Sequence, residues 1–536
     1  MSKRFFSLVE LAIAGIILGW LVMTAVQEYN RLRPDASLTY ALDDAYIHMA
    51  LAKNLAQHGV YGVTPEGFTS SSSSVLWTLL LALVYAVFGV GDLAPLWLNL
   101  LSGGLALWAV WRLLGRLAPE KPGVRLAGMA ALIFLVPLPA MILSGMEHTL
   151  QIFLTLLFVD LALAALQDAP GGALRWSDAP LLAVGVLLSA VRYESLAVIG
   201  LVCLILLFRR RWRLALALGA GALLPVLAYG LVSTAQGWWF LPNPVVVKAY
   251  TPVQSLHDAL RLLPVRLGRL WEFEHLRVLL LVTAAGLILN WIWPALPGKP
   301  AAAFRWLAVL FLVSAGAHGL FGNFHWFYRY EAYLVALGGV GLAGLLGTWL
   351  YRFDPRRLRG WVFLALALVM LFFLAPLWPR GQRALSETPY AMTNIYDQQI
   401  QMARFVKKYY AGSCVAINDI GAISYMGDVC VIDLAGLATR ETAQVVLERR
   451  PLGPVIAALA RQRQARIAII YDNWYPGQIP AQWTKVGYWT VQRSVVLGGP
   501  TVSFYAITPD EIEALSKALN AYSPMLPQSV RRLVLR

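Results

Sequence analysis

Apolar runs close to bilayer length recur along the chain at 5–26, 93–112, 126–143, 150–167, 214–234, 277–293, 306–320, 332–350 and 361–377. Each predicts a membrane-spanning helix, because roughly 20 apolar residues cross the hydrocarbon core. Two shorter runs, 180–191 and 195–208, flank Arg192-Tyr193-Glu194 and read as helices meeting at a polar break. Such a break is tolerated where the backbone lines a cavity. Residues 75–91 have the length of a short span but are read as lying flat or re-entering, which leaves eleven spans.

Charge selects that count. Without 75–91, the loops 112–125, 209–213 and 351–360, each with four Lys or Arg, fall on the same side as Lys3 and Arg4. Seventeen Lys or Arg then lie on that side against nine on the other, the asymmetry expected of cytoplasmic loops. The basic start runs into a long apolar stretch with no small-residue cleavage site, so it reads as an uncleaved anchor. The expected location is the bacterial cytoplasmic (inner) membrane, multi-pass, with the N-terminus cytoplasmic and residues 378–536 extracytoplasmic.

The pattern changes after residue 377. AGSCVAIND, GDVCVID, ARIAIIYD and VSFYAIT read as short buried strands, separated by helical ETAQVVLERR and PVIAALARQRQ. Two domains are therefore expected: a transmembrane catalytic domain over 1–377, with an outer loop and juxtamembrane helices at 27–91, and an extracytoplasmic α/β domain over 378–536. Cys414 and Cys430 open the first two strands; if the strands are neighbours, an oxidising compartment favours a disulfide between them.

Composition agrees with the pattern. The 536 residues are 59% hydrophobic and only 14% charged, with mean hydropathy +0.62, which excludes a soluble enzyme and a disordered chain. The formal charge of +15 has its main source in the basic loops, and no nucleic-acid module is present.

The remaining polar residues collect in the outer loops. DDAYIHMALAKNLAQHG predicts a helix at the membrane surface with Asp44 and His48 on one face, and an apolar stripe of Ile47, Leu51 and Leu55 beside it. Asp43 is also read as a simple helix cap. The five serines 70–74 predict a mobile loop without a packed core. Glu147 and His148 end one span, Arg192 and Glu194 mark the broken pair, Lys248 follows Pro-Asn-Pro, and Arg329 with Glu331 opens another span. Arg192 and Glu194 can also simply neutralise each other. Asp419, Asp433 and Tyr425 sit at strand ends of the tail domain, which is expected to position an acceptor.

In order, D-D-x-Y-x-x-x-x-x-A-x-N-L-A from Asp43, G-x-T-S from Gly67, S-G-M-E from Ser144, R-x-E from Arg192 and P-N-x-x-x-x-K from Pro242 resemble the GT-C membrane glycosyltransferases. Mycobacterial arabinofuranosyltransferases of the B type look most similar. The likeness runs from about residue 5 to about 440. It implies a polytopic α-helical GT-C-like fold that transfers one sugar from a polyprenyl-phosphate donor to an acceptor hydroxyl of a glycan or protein, on the outer side of the membrane. Asp44 is then the general base and Asp43 orients substrate. Arg192, Lys248, Arg329 and His148 are candidates for the donor phosphate; His48, Tyr46, Glu147, Glu194, Asn243, Thr69 and Ser70 are candidates for the rest of the substrates.

Elementary chemistry asks for the same parts: a base near the acceptor and cations where charge grows on the departing phosphate. Arginine and lysine can supply those cations, so no metal or other cofactor is required, although the Asp43–Asp44 pair could hold a divalent cation. One base without an enzyme nucleophile predicts inversion at the anomeric carbon. The alternative class is a flippase or transporter of lipid-linked sugars, which predicts inverted repeats and charge on both sides of the membrane. An acyl or phosphoethanolamine transferase would need a nucleophile or metal cluster that the sequence does not display.

Overall fold

The computed structural model describes residues 3–119, 121–168, 171–247, 256–292, 299–352 and 375–535. Its first part is helical: α1 (Lys3–Leu32), α2 (Asp44–His58), α3 (Val75–Phe88), α4 (Ala94–Leu117), α5 (Pro122–Leu135), α6 (Leu138–Leu143), α7 (His148–Gln167) and α8 (Ala179–Val191) come first. They are followed by α9 (Leu196–Phe208), α10 (Trp212–Ala235), α11 (Asn243–Val247), α12 (Leu256–Glu272), α13 (Glu274–Ile292), α14 (Lys299–Phe321) and α15 (Ala332–Arg352). Among the described residues six helices, α1, α4, α7, α10, α13 and α14, are long and apolar enough to cross a membrane on their own, and α3, α5, α8, α9 and α15 form a shorter apolar set.

Ten of the eleven expected spans coincide with these helices. The eleventh, 361–377, lies outside the described residues apart from Ala375–Leu377. One correction concerns 126–143, which is two helices: the chain breaks at Val136-Pro137, where proline supplies no N–H. The second piece, α6, is entirely buried.

The helical body has two polar ends. At one, the Arg125 guanidinium grips both Glu10 oxygens at 2.7 and 2.8 Å, Asp160 takes Arg112 and Arg116, and Asp178 takes Arg211. At the other, Arg33 pairs with Asp397 of the tail. Glu10 lies about two turns into α1 and Arg33 just beyond its last residue, so at about 1.5 Å per residue the two ends lie roughly 35 Å apart, about a bilayer's hydrocarbon thickness.

α3 begins and finishes at the tail side. Before its first residue, Ser71 donates to the Leu437 carbonyl; beyond its last, Asp92 accepts from the Tyr425 hydroxyl at 2.8 Å. Both ends of α3 therefore lie against the tail domain.

The tail opens with α16 (Trp378–Ile395), which packs on α1, α5 and α6 and runs on through a wider turn into α17 (Gln401–Tyr410). The strands are β1 (Cys414–Ile417), β2 (Cys430–Asp433), β3 (Ile467–Ile470), β4 (Thr484–Val491), β5 (Thr501–Ala506) and β6 (Val530–Val534). Between them lie α18 (Gly421–Met426), α19 (Arg440–Glu448), α20 (Gly453–Gln462) and α21 (Glu511–Tyr522). Sheet order is β2-β1-β3-β5-β4-β6, with β2-β1-β3 parallel and the rest antiparallel.

The alternating residues of β1 and β3 enter two different cores. Val415, Ile417, Ile467 and Ile469 pack with Phe405 of α17, whereas Ala416, Ala468 and Ile470 pack with Ile456 and Leu459 of α20. Burial on both faces explains why these strands read as unbroken apolar runs. Cys414 and Cys430 are register partners on β1 and β2 and are joined by a disulfide.

Candidate active site

The site starts with the Ser144–Glu147 turn. Gly145 has φ 74°, a conformation that favours glycine, and a Cβ there would stand 2.7 Å from the Tyr40 ring. This tight reversal after α6 delivers Met146 to a cavity and Glu147, fully buried, to the start of α7. The break between α8 and α9 delivers Arg192, and the segment before α15 delivers Arg329. The cavity, about 270 Å³, is lined by Asp44, Ser73, Arg192, Tyr193, Glu194, Val245, Asn323, Arg329 and Tyr330 among others.

Two ion-pair systems face each other across it. Arg329, 2% exposed, donates from Nη2 to Asp44 Oδ2 at 2.6 Å and to the Tyr330 hydroxyl at 3.1 Å. Its Nε and Nη1 are buried without a hydrogen-bond partner. Arg192 is differently placed: Nη1 donates to Glu147 at 2.8 Å, and Nε and Nη2 grip Glu194. Arg192 is thus the counter-ion of two carboxylates, including Glu194 as the pairing alternative anticipated, while Arg329 pairs with one carboxylate and keeps two N–H-bearing nitrogens without a hydrogen-bond partner.

Behind this wall the Ser73 hydroxyl donates to Glu147 at 3.2 Å. His48 Nε2 lies 3.3 Å from the same hydroxyl and 3.6 Å from Glu147, and its Nδ1 bonds to Thr78. Burial pushes the His48 pKa down, so the ring is neutral at pH 7. Burial works against the Glu147 carboxylate too, yet its pKa is held below the usual range; with His48 neutral at pH 7, the charge that holds it there is the Arg192 guanidinium at 2.8 Å. His148 packs edge-on to Tyr330, and both of its ring nitrogens are buried without a hydrogen-bond partner.

Other expected residues are drawn elsewhere. Asp43 holds the N-cap position of α2 without capping it; its carboxylate accepts the Gly421 and Ala422 N–H groups, 2.8 Å each, and so caps α18 in the tail domain. Burial and the nearby Asp419 carboxylate push its pKa up to about 8, against the pull of those two N–H groups. Asp43 and Asp44 therefore face different partners, and among the described residues no three His, Cys, Asp or Glu side chains converge as metal ligands.

Tyr46 accepts from the Tyr40 N–H and packs on Tyr425; Thr69 accepts from the Val63 N–H; Ser70 bonds to Tyr229; Asn243 donates to the Gly436 carbonyl. None of these four is among the residues that line the cavity. Lys248 lies outside the described residues.

One further expectation is corrected. Ser70, Ser71, Ser72 and Ser74 are buried and hydrogen-bonded, with Ser74 capping α3, so the serine run is a packed polar segment. α2, expected at the membrane surface, is packed between α3 and α18 with most of its residues buried.

Ser73, Asn323 and Tyr330 were missed by sequence reasoning, although Ser73 and Tyr330 sit within motifs it had marked. The approach to Arg329 is unusual: His325, Trp326, Phe327 and Tyr328 have φ of 66°, 33°, 58° and 64°. Left-handed backbone costs non-glycine residues about 1–2 kcal/mol each, so surrounding contacts must hold this turn.

Residues 393–505 match a family described as a domain of unknown function (DUF8728). No curated protein matches the chain. Solved structures with a similar fold include the apo oligosaccharyltransferase of Archaeoglobus fulgidus, at 13% identity and TM-score 0.52, covering 95% of this chain and 75% of that one. The same enzyme tethered to an acceptor peptide containing the NVT sequon gives 14% identity, TM-score 0.51 and the same coverage. ArnT from Cupriavidus metallidurans bound to undecaprenyl phosphate gives 14% identity and TM-score 0.51, covering 92% of this chain and 99% of that one. At these identities the likeness is one of fold.

Proposed function

Proceeding from a chain with the GT-C fold, we propose that it is a glycosyltransferase that moves a single sugar from a polyprenyl-phosphate donor to an acceptor hydroxyl on the outer side of the membrane. The observation that carries this reading is the buried Arg329 beside the cavity, ion-paired to Asp44 through one nitrogen while two others are buried without a hydrogen-bond partner. In displacement at the anomeric carbon, the donor C1–O bond breaks and its electron pair leaves on the phosphate. Arg329 meets that growing charge. Asp44 takes the proton of the attacking acceptor hydroxyl, and it stands close enough to Arg329 for both events to share one cavity. Arg192 keeps Glu147 and Glu194 anionic as polar walls for the sugar hydroxyls.

A single base and one displacement give inversion. The sugar favoured by the sequence motifs is arabinofuranose. The acceptor is a glycan or protein, the latter supported by a neighbour tethered to an acceptor peptide, and the lipid phosphate by one bound to undecaprenyl phosphate. The residues described supply base and cation, so no step is routed through a metal. Purified protein in lipid nanodiscs, given a radiolabelled polyprenyl-phosphate pentose or hexose and candidate acceptors, tests the reading. Transfer by the native chain and none by Asp44→Asn supports it; undiminished transfer by Asp44→Asn removes Asp44 from the reaction.

A further inference from the structure

The left-handed turn His325–Tyr328 immediately precedes Arg329, and one ion pair holds both of its ends. At the first end, the His325 N–H donates to Glu331 Oε2 at 2.9 Å. At the last, Arg380 Nη2 donates to the Tyr328 carbonyl at 2.7 Å. The two clamping side chains join each other, Arg380 Nη1 to Glu331 Oε1 at 2.6 Å. Arg380 is anchored in turn by the Leu135 carbonyl, which its Nε reaches at 3.0 Å. Both residues are buried, and neither lines the cavity.

We propose that Arg380 and Glu331 are a positioning pair for Arg329: the clamp keeps four residues left-handed and thereby aims the next side chain at Asp44 and the cavity. Arg380 sits in the first turn of α16, the helix that leads into the tail domain, so the seating of that helix sets the reach of the phosphate-binding cation. Chain geometry supports this form of action. The turn's own sequence, HWFY, contains no glycine to favour such backbone, so contacts must hold it; beside the clamp's two backbone contacts, the Tyr328 hydroxyl donates to Glu387 of the same helix at 2.6 Å and the His325 ring stacks on Phe273. This inference rests on the proposed role of Arg329 for its kinetic consequence, but its structural claim stands apart from the chemistry.

Two measurements separate those layers. Hydrogen exchange of peptides covering 324–331 is followed in the full-length protein and in Arg380→Met, Arg380→Lys and Glu331→Gln. The clamp predicts exchange about tenfold faster in this stretch for Arg380→Met and Glu331→Gln, less for Arg380→Lys, with the β1–β3 peptides unchanged. Native-like exchange at 324–331 in a folded variant overturns the proposal.

Transfer kinetics are then compared in a cycle with Arg329→Met. Arg380→Met alone is expected to lower kcat/KM for the donor by about 10- to 100-fold and leave acceptor KM within twofold, with partial recovery in Arg380→Lys. In the Arg329→Met background it should add less than a twofold loss, because its effect runs through Arg329. Losses that multiply in the double variant overturn the positioning role. Should the native chain transfer no sugar at all, the functional reading falls, while the exchange data still decide the clamp.

Discussion

Replacing Arg329 by methionine should reduce kcat/KM for the donor by about 10²- to 10⁴-fold. The magnitude follows from the guanidinium's surroundings. Nη2 is committed to Asp44 and Tyr330, leaving buried Nε and Nη1 without hydrogen-bond partners. A phosphate that takes both gains two charge-assisted hydrogen bonds, roughly 1.5–3 kcal/mol each. At about 1.36 kcal/mol per tenfold change, a loss of 3–6 kcal/mol spans that range. Arg329→Lys keeps the charge as a single point and should fall between native and Arg329→Met. The assay is initial-rate transfer in nanodiscs with donor and acceptor varied separately, beside a thermal melt to confirm folding. A folded Arg329→Met protein with unchanged donor kinetics would refute the assignment of this arginine to the donor phosphate.

The remaining expectations concern the structure around the site. Gly421→Ala should loosen the tail domain, since a Cβ would stand 2.1 Å from the Asp43 carbonyl oxygen; overpacking of this kind costs about 1–3 kcal/mol, and the readout is a lower melting midpoint with faster proteolysis between 411 and 440. Because His48 is held neutral with a lowered pKa, the unfolded chain binds the extra proton first as pH drops. Stability should therefore fall as pH decreases below about 6.5, and melts from pH 8 to 5 should show a flatter dependence in His48→Gln. Serine at both 414 and 430 should cost the tail domain about 3 kcal/mol, as expected for opening a loop of 16-residue separation, and an unchanged denaturation midpoint would contradict this.

What the sequence reveals here divides along a physical line. Bilayer-length apolar runs and basic loops are local signals, and they placed the spans and put Asp44, Glu147, Arg192, Glu194 and Arg329 on one side. Those five indeed gather around one cavity. Choices among neighbouring polar residues were not legible. Asp43 and Asp44 are adjacent, yet one caps a helix 378 positions away and the other meets Arg329. Ser70 and Ser73 share a serine run, but only Ser73 reaches the cavity, because Tyr229 takes Ser70. The serine run looked unpacked since its partners, Leu437 and Tyr229 among them, come from distant elements. Nothing in the sequence singles out Arg380; its partners Tyr328, Glu331 and Leu135 are fixed only by folding. In the tail, short apolar runs revealed the buried strands β1, β2, β3 and β5 but not β4, whose apolar residues are mixed with polar ones, nor β6, an exposed edge strand of the sheet.

The most direct test of the central claim is mass spectrometry of lipids that copurify with the Asp44→Asn protein. A transferase that retains Arg329 but lacks its base should hold its donor, so a bound polyprenyl-phosphate sugar is predicted, with a pentose identifying arabinofuranosyl-type transfer. Recovery of bulk phospholipid alone, with no binding when the lipid-phosphate sugar is added back, would contradict the account.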